Sequence, residues 1–219
     1  MSVRRGEPWG GPAGGPADAE VEGGDAALAA LASRQPGIRV SFRPAPDSDL
    51  ARALGLAGGR PPASLEVPLD GLDLRVAPGM AVNMVVLGAP PDRVQWWSRA
   101  VPVEVTVDGR ERFRGRATTV LVANGQYLRG ADVVPRGHPG DGRVEVQIYA
   151  LGRGERRGMR RRLAQGAHVP HPRILELTGR RIEVHAAGRG LELAVDGVGQ
   201  GPQKDLTAEV VPGVIRVLV

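Results

Sequence analysis

From residue 60 to the C-terminus, apolar side chains recur at every second position, in short segments cut by glycine. "VPVEVTV", "RVEVQIYA", "RIEVHAA", "LELAV" and "VIRVLV" alternate, and "MAVNMVVL" and "ATTVLVA" run almost continuously apolar. The turns between several of them are short: Asp108-Gly109, Thr178-Gly179-Arg180 and Gly188-Arg189-Gly190. A chain so patterned can bury its apolar side chains only as an antiparallel sandwich or barrel. Trp, Tyr and Phe number three, two and two, so the core must be built from Val, Leu, Ile and Ala. Branching at Cβ makes Val favour strands.

Ahead of this region the period changes. Residues 1–17 are Gly, Pro and charge and read as a flexible tail. "DAALAALASR" predicts a helix with Asp25 as its N-cap and Leu28 and Leu31 on one side, ended by Pro36 and Gly37. "IRVSF" predicts a strand. Asp47 to Asp49 then cap a second helix, "LARALGL", closed by Gly55 and the Gly58-Gly59 pair. The fold class is α+β: a small α/β segment over residues 18–61, joined by 207–219, and a large antiparallel β-sandwich over 62–206.

Chemistry is bounded by what the chain lacks and where its charge sits. It has no Cys, which excludes disulfides, thiolate metal sites and Cys nucleophiles. No apolar run approaches the ~18 residues of a membrane-spanning helix, and no signal-peptide pattern opens the chain. A cytoplasmic protein with peripheral membrane contact is expected. Net charge is +5, and Arg153, Arg156, Arg157, Arg160, Arg161 and Arg162 lie within ten residues, opposed by Glu155. Such a run is either a solvated face or a contact for a lipid or anionic membrane surface. Aromatics are too few for base stacking, and no nucleic acid is expected as a partner. A homodimer is among the expectations.

The order of motifs resembles the lipid kinase family that includes bacterial diacylglycerol kinases and sphingosine kinases. Gly23-Gly24-Asp25-Ala26-Ala27 stands where the family has Gly-Gly-Asp-Gly-Thr. "RPAPDSDLARALGL" stands where it has Pro-Leu-Gly-Thr-Gly-Asn-Asp-Phe-Ala-Arg-x-Leu-Gly, with Asp49, Ala51, Arg52, Leu54 and Gly55 matching. "VLVANGQYLRGADVVPRGHPGDGRVEVQIY", "GAHVPHPRILEL", "LELAVDGVGQGP" and "EVVPGVIRVLV" resemble the later motifs in order, so the likeness spans roughly residues 18–219.

The resemblance implies a nucleotide-binding α/β domain, here a remnant, ahead of the sandwich. It implies ATP and Mg²⁺ as cofactors and a lipid hydroxyl as phosphate acceptor. Gly23, Gly24, Asp25 and Asp49 would bind the nucleotide, and Asp196 would meet the hydroxyl. Asp141, in "PGDGRV", matches a carboxylate that holds a structural cation in relatives, and "GAHVPHPR", with His168 and His171, a loop beside the lipid entrance. Family members carry further residues ahead of the Gly-Gly-Asp motif, so an N-terminally truncated domain is expected.

The departures bear on chemistry. Ala27 removes a hydroxyl, Ala45-Pro46-Asp47 replace Gly-Thr-Gly, and Val198 replaces the Glu of Asp-Gly-Glu. Pro46 has no N–H to offer a phosphate, and Asp47 repels one. Impaired transfer is expected, or a non-catalytic relative that binds a lipid or a partner protein.

Overall fold

The computed structural model describes residues 9–56 and 65–219. The expected helix closure at Gly58-Gly59 and the start of the tail lie outside them. In chain order the strands and helices are β1 (Gly11–Pro12), β2 (Ala19–Gly23), α1 (Asp25–Arg34), β3 (Ile38–Pro44), α2 (Asp49–Ala53), β4 (Leu65–Leu74), β5 (Met80–Ala81), β6 (Met84–Gly88), β7 (Val101–Val107) and β8 (Arg110–Ala117). There follow β9 (Thr119–Ala123), β10 (Tyr127–Leu128), β11 (Ala131–Asp132), β12 (Val144–Tyr149), α3 (Arg156–Leu163), β13 (Ile174–Gly179), β14 (Arg181–Ala186), β15 (Leu191–Val195), β16 (Val198–Gln203) and β17 (Asp205–Leu218).

Two sheets face each other. One follows the order β13-β12-β9-β6-β15-β16, and the other β1-β4-β17-β14-β7-β8, with β2, β3 and β5 attached. Their facing side chains, among them Leu72, Val85, Val103, Val122, Ile148, Ile182 and Leu193, form the central core. This is the antiparallel sandwich that the alternating segments predict, and the molecule is mostly sheet with few helices.

β17 carries the connection to the N-terminal part. It lies antiparallel between β4 and β14, and its last residues, Ile215 to Leu218, pair in parallel with Ile38 to Ser41 of β3. β2 is parallel to β3, and α1 crosses between them as a βαβ unit. Leu28, Ala32 and Leu50 of the two helices pack on Val40, Leu69, Ile215 and Val217. This packing fixes the β2–α1 junction, and with it Gly24 and Asp25, beside the sandwich.

β9 is buried at every residue. One face looks into the central core; the other is covered by α3 and the β10–β11 hairpin, through Leu121, Met159, Leu163 and Val133. A sheet covered on both sides reads as a continuous apolar run, which explains "TTVLVA".

The tail is shorter than the composition predicts. From Trp9 on the chain is held: β1 pairs with β4, the Trp9 indole N–H donates to the Pro68 carbonyl at 3.1 Å, and its ring lies 4.5 Å from that of His138. An amphipathic indole finding both an apolar wall and an acceptor overrides the Gly/Pro signal.

Candidate functional site

A cleft of about 770 Å³ opens where the helical N-termini meet the sandwich, lined by Gly24, Asp25, Asp47, Ser48, Asp49, Arg52, Asn83, Arg129, Asp196 and Val198 among others. The structure therefore brings Gly24, Asp25, Asp49 and Asp196 together from three distant parts of the sequence. Gly23 sits one residue behind, at φ +134°, a backbone position suited to glycine.

Asp25 is not the N-cap of α1. Gly24 is, without a side-chain cap. The Asp25 carboxylate is buried and turned inward. It accepts the Ser48 hydroxyl at 2.6 Å, the Leu50 N–H at 3.2 and 3.3 Å, and the Asn83 amide at 2.8 Å. Three tertiary donors outcompete a local cap. Burial pushes its pKa up, with neighbouring Asp49 adding to the rise and the three donors opposing it. Asp25 thus ties α1 to α2 and to the β5–β6 connection.

Ser48, between the two aspartates expected to cap α2, is the actual N-cap and accepts the Ala51 N–H at 3.0 Å. Asp49 is also buried. It accepts the backbone N–H groups of Arg129 and Gly130, the latter at 2.7 Å, and so fastens α2 to the β10–β11 turn.

Asp196 occupies the β15–β16 turn at φ +47°. Its carboxylate accepts three backbone N–H groups, from Val82, Asn83 and Met84, all at 2.9 Å. Burial pushes its pKa up to about 6. The donors of Val82 and Met84 oppose the rise, nearby Asp25 adds to it, and Asn83 opposes it. Of about four acceptor directions on a carboxylate, three are taken.

Asp141 lies outside this cleft. It accepts the Arg143 N–H at 3.0 Å within its turn, and among the described residues no three His, Asp or Glu side chains are placed to hold a metal ion together. The carboxylate that organises this turn is Asp70, fully buried in β4. It accepts Gly142 N–H at 2.6 Å and Gly213 N–H at 2.8 Å, tying the turn to the kink of β17.

His168 is fully buried. Its Nε2 lies 2.8 Å from the Val133 carbonyl, and burial lowers its pKa. His171 shares no site with it; its Nδ1 accepts the Arg173 N–H. The arginine run forms α3 and is not uniformly exposed. Arg156 is buried, with its guanidinium on the carbonyls of Gln95, Trp96 and Ser98 at 3.1, 3.0 and 2.7 Å. It is withdrawn from any membrane-facing set, because its helix position, with Met159 and Leu163, faces the sandwich.

The sequence reading missed Ser48, Asp70, Asn83 and Asn124. The Asn124 amide donates to the carbonyls of Asp70 and Val82, both at 2.8 Å. Asn83 carried a readable signal, one polar residue inside the apolar run "MAVNMVVL", which must find a partner.

As a cradle for a Mg²⁺-bound triphosphate, this residue set does not fit. The Leu50 and Ala51 N–H groups of α2 are spent on Asp25 and Ser48, and Pro46 has none. Asp25, Asp47, Asp49 and Asp196 line the cleft against Arg52 and Arg129. The Arg129 guanidinium is paired with Asp92, and Arg52 lies 5.9 Å over the Tyr127 ring. Mg²⁺ needs carboxylate oxygens free to complete an octahedron, whereas Asp25 and Asp49 bind donors of the fold. The N-terminus of α1 still presents the positive end of its dipole to the cleft.

Among solved structures, a diacylglycerol kinase from Bacillus anthracis str. Sterne superposes with a TM-score of 0.71 at 17% identity, covering 92% of this chain and 77% of that one. An NAD kinase from Archaeoglobus fulgidus in complex with ATP gives 0.51 at 15%, covering 92% and 78%. Yeast NADH kinase complexed with NADH gives 0.51 at 13%, covering 92% and 61%. These likenesses establish an NAD kinase-like fold. No curated protein matches the chain. Among the described residues no helix is long and apolar enough to cross a membrane. Residues 92–219, more than half of the chain, match the family model described as the YegS C-terminal NAD kinase beta sandwich-like domain, and the chain belongs to that family.

Proposed function

We propose that this protein is a member of the lipid kinase group in which transfer of the ATP γ-phosphate to a lipid hydroxyl is impaired, and that its cleft and sandwich serve to bind a lipid. One observation carries the proposal: the carboxylates of Asp25 and Asp49 are committed as braces between chain segments, and Asp196 is engaged on three backbone donors. Phosphoryl transfer to an alcohol needs a held triphosphate, a cation to offset its charge and a base at the hydroxyl. The cleft offers its phosphate-binding positions to its own side chains. What remains is a polar hollow with apolar neighbours at Met84, Leu128 and Val198, suited to a headgroup with acyl chains leaving it.

An active kinase is favoured by one feature alone. Asp196, with its pKa near 6 and one acceptor direction left, has the basicity of a general base.

A radiolabelled phosphate-transfer assay over several lipid alcohols, with Mg·ATP and the purified chain, tests the proposal. Losing one preorganised donor slows an active site by ~10²–10³, so turnover at least that far below the ~10 s⁻¹ enzyme median is expected. Turnover near that median, abolished by Asp196→Asn, overturns the proposal in favour of the active kinase. In the absence of nucleotide, a short-chain diacylglycerol is expected to raise the melting temperature; no shift with any lipid alcohol contradicts the binding role.

A further inference from the structure

Two of the three tryptophans are left in solvent side by side. Trp96 and Trp97 are 63% and 64% exposed, their rings in edge-to-face contact with centroids 5.4 Å apart. The third, Trp9, shows what this fold does with an indole it needs: half-buried, with its N–H on a carbonyl. No described residue accepts from the indole of Trp96 or Trp97. Single exposed hydrophobics are ordinary, but a pair of adjacent indoles is a contiguous amphipathic surface.

The pair is also held in place. Arg156, buried at the start of α3, donates to the carbonyls on both sides of the tryptophans, those of Gln95 and Ser98, and to that of Trp96 itself. A buried guanidinium committed to three carbonyls fixes the backbone of a loop whose side chains point away from the core. The loop is therefore a rigid display of two indoles.

The surroundings are basic. Arg93 and Arg99 flank the pair in the same loop, and Arg153, Arg157 and Arg161 are exposed on and before α3, against which the loop lies. The acidic residues nearby are neutralised within the fold: Asp92 pairs with Arg129 and Arg93, and Glu155 with Arg173 at 3.2 Å. Indoles prefer the headgroup level of a bilayer, where an apolar ring and a polar N–H are both accommodated. Arginines beside them meet anionic headgroups.

We infer that the Trp96–Trp97 loop and the exposed face of α3 form a docking surface for an anionic phospholipid bilayer, with the indoles entering the headgroup layer and Arg93, Arg99, Arg157 and Arg161 contacting phosphates. Arg156 is a positioning residue for this surface. The inference does not depend on whether the cleft transfers phosphate.

The test uses the whole chain with vesicles of phosphatidylcholine alone or with phosphatidylglycerol added. Sedimentation is expected to show binding to the anionic vesicles, weakened by salt, and little to the neutral ones. Arg157→Gln with Arg161→Gln is expected to weaken partitioning about twenty-five-fold, at roughly fivefold per basic residue at an anionic surface. Trp96→Ala with Trp97→Ala is expected to weaken it about tenfold or more, at unchanged melting temperature. Brominated lipid is expected to quench wild-type fluorescence and to leave the Trp9 signal of the double variant unquenched. Equal binding to both vesicle types, absence of quenching, or unaltered binding by the double tryptophan variant overturns the inference. So does a dimer without lipid that the tryptophan variant converts to monomer, which assigns the surface to a second copy of the chain.

Discussion

Asp196→Ala is expected to lower stability by about 3 kcal/mol near pH 5, because the N–H groups of Val82, Asn83 and Met84 lose their common acceptor at once. The loss depends on pH with a definite sign. The pKa of Asp196 is raised from 3.8 to about 6 in the folded protein. Between those values the folded state holds a proton that the unfolded chain has released, so the contribution of Asp196 is fully present below about pH 4 and declines as pH rises through about 6, by on the order of 3 kcal/mol in all. The variant lacks this slope. The difference between wild type and variant is therefore expected to be widest at acid pH and to narrow towards neutrality. Burial also raises Asp25, Asp70 and Glu145, while donors and arginines lower Glu66 and Asp108, so the difference, and not the wild-type profile, isolates Asp196. Urea unfolding at several pH values measures it. A variant as stable as wild type at acid pH contradicts the brace, and a difference that widens on raising the pH contradicts the raised pKa.

Gly88→Ala is expected to cost about 3 kcal/mol or more. Gly88 ends β6 at φ +90°, and a Cβ there would stand 2.2 Å from the Thr118 carbonyl oxygen and 3.3 Å from Leu191 Cδ2. The strained backbone and the clash with a main-chain atom each contribute about 1–3 kcal/mol. Gly109→Ala separates the two effects: its φ is +76°, but nothing lies within 4 Å of the added Cβ. It is expected to cost about 1–2 kcal/mol, for the left-handed backbone alone. Chemical denaturation of both variants decides it, and equal losses at the two positions contradict the close approach of β6 and β9.

The sandwich was legible because half-buried strands show their face in every second residue, as "VPVEVTV" and "RIEVHAA" do. In the sequence Gly88 merely follows the apolar run "MAVNMVVL". Its necessity comes from Thr118, thirty residues away, which no local pattern contains. α3 escaped the reading because six of the eight residues of "RRGMRRRL" are Arg or Gly. The apolar stripe of Met159 and Leu163 is too thin to show a helical period, and burial of Arg156 depends on three carbonyls supplied by another loop.

The motifs placed Asp25, Asp49 and Asp196 in one cleft, yet not what they do there. A cap, a metal ligand and a brace are the same residue type in sequence. Partners at Ser48, Asn83, Gly130 and Val82 decide between them, and those come from the tertiary fold. The lone polar residue Asn83 within "MAVNMVVL" was the readable sign that such a brace had to exist.

Isothermal titration of Mg·ATP into the purified chain measures most directly whether the cleft's phosphate-binding groups are spent on the fold. The expected result is no saturation below the millimolar range, since Pro46 lacks a donor, Asp47 repels, and the α2 donors are held by Asp25 and Ser48. A micromolar dissociation constant with one nucleotide per chain would contradict it.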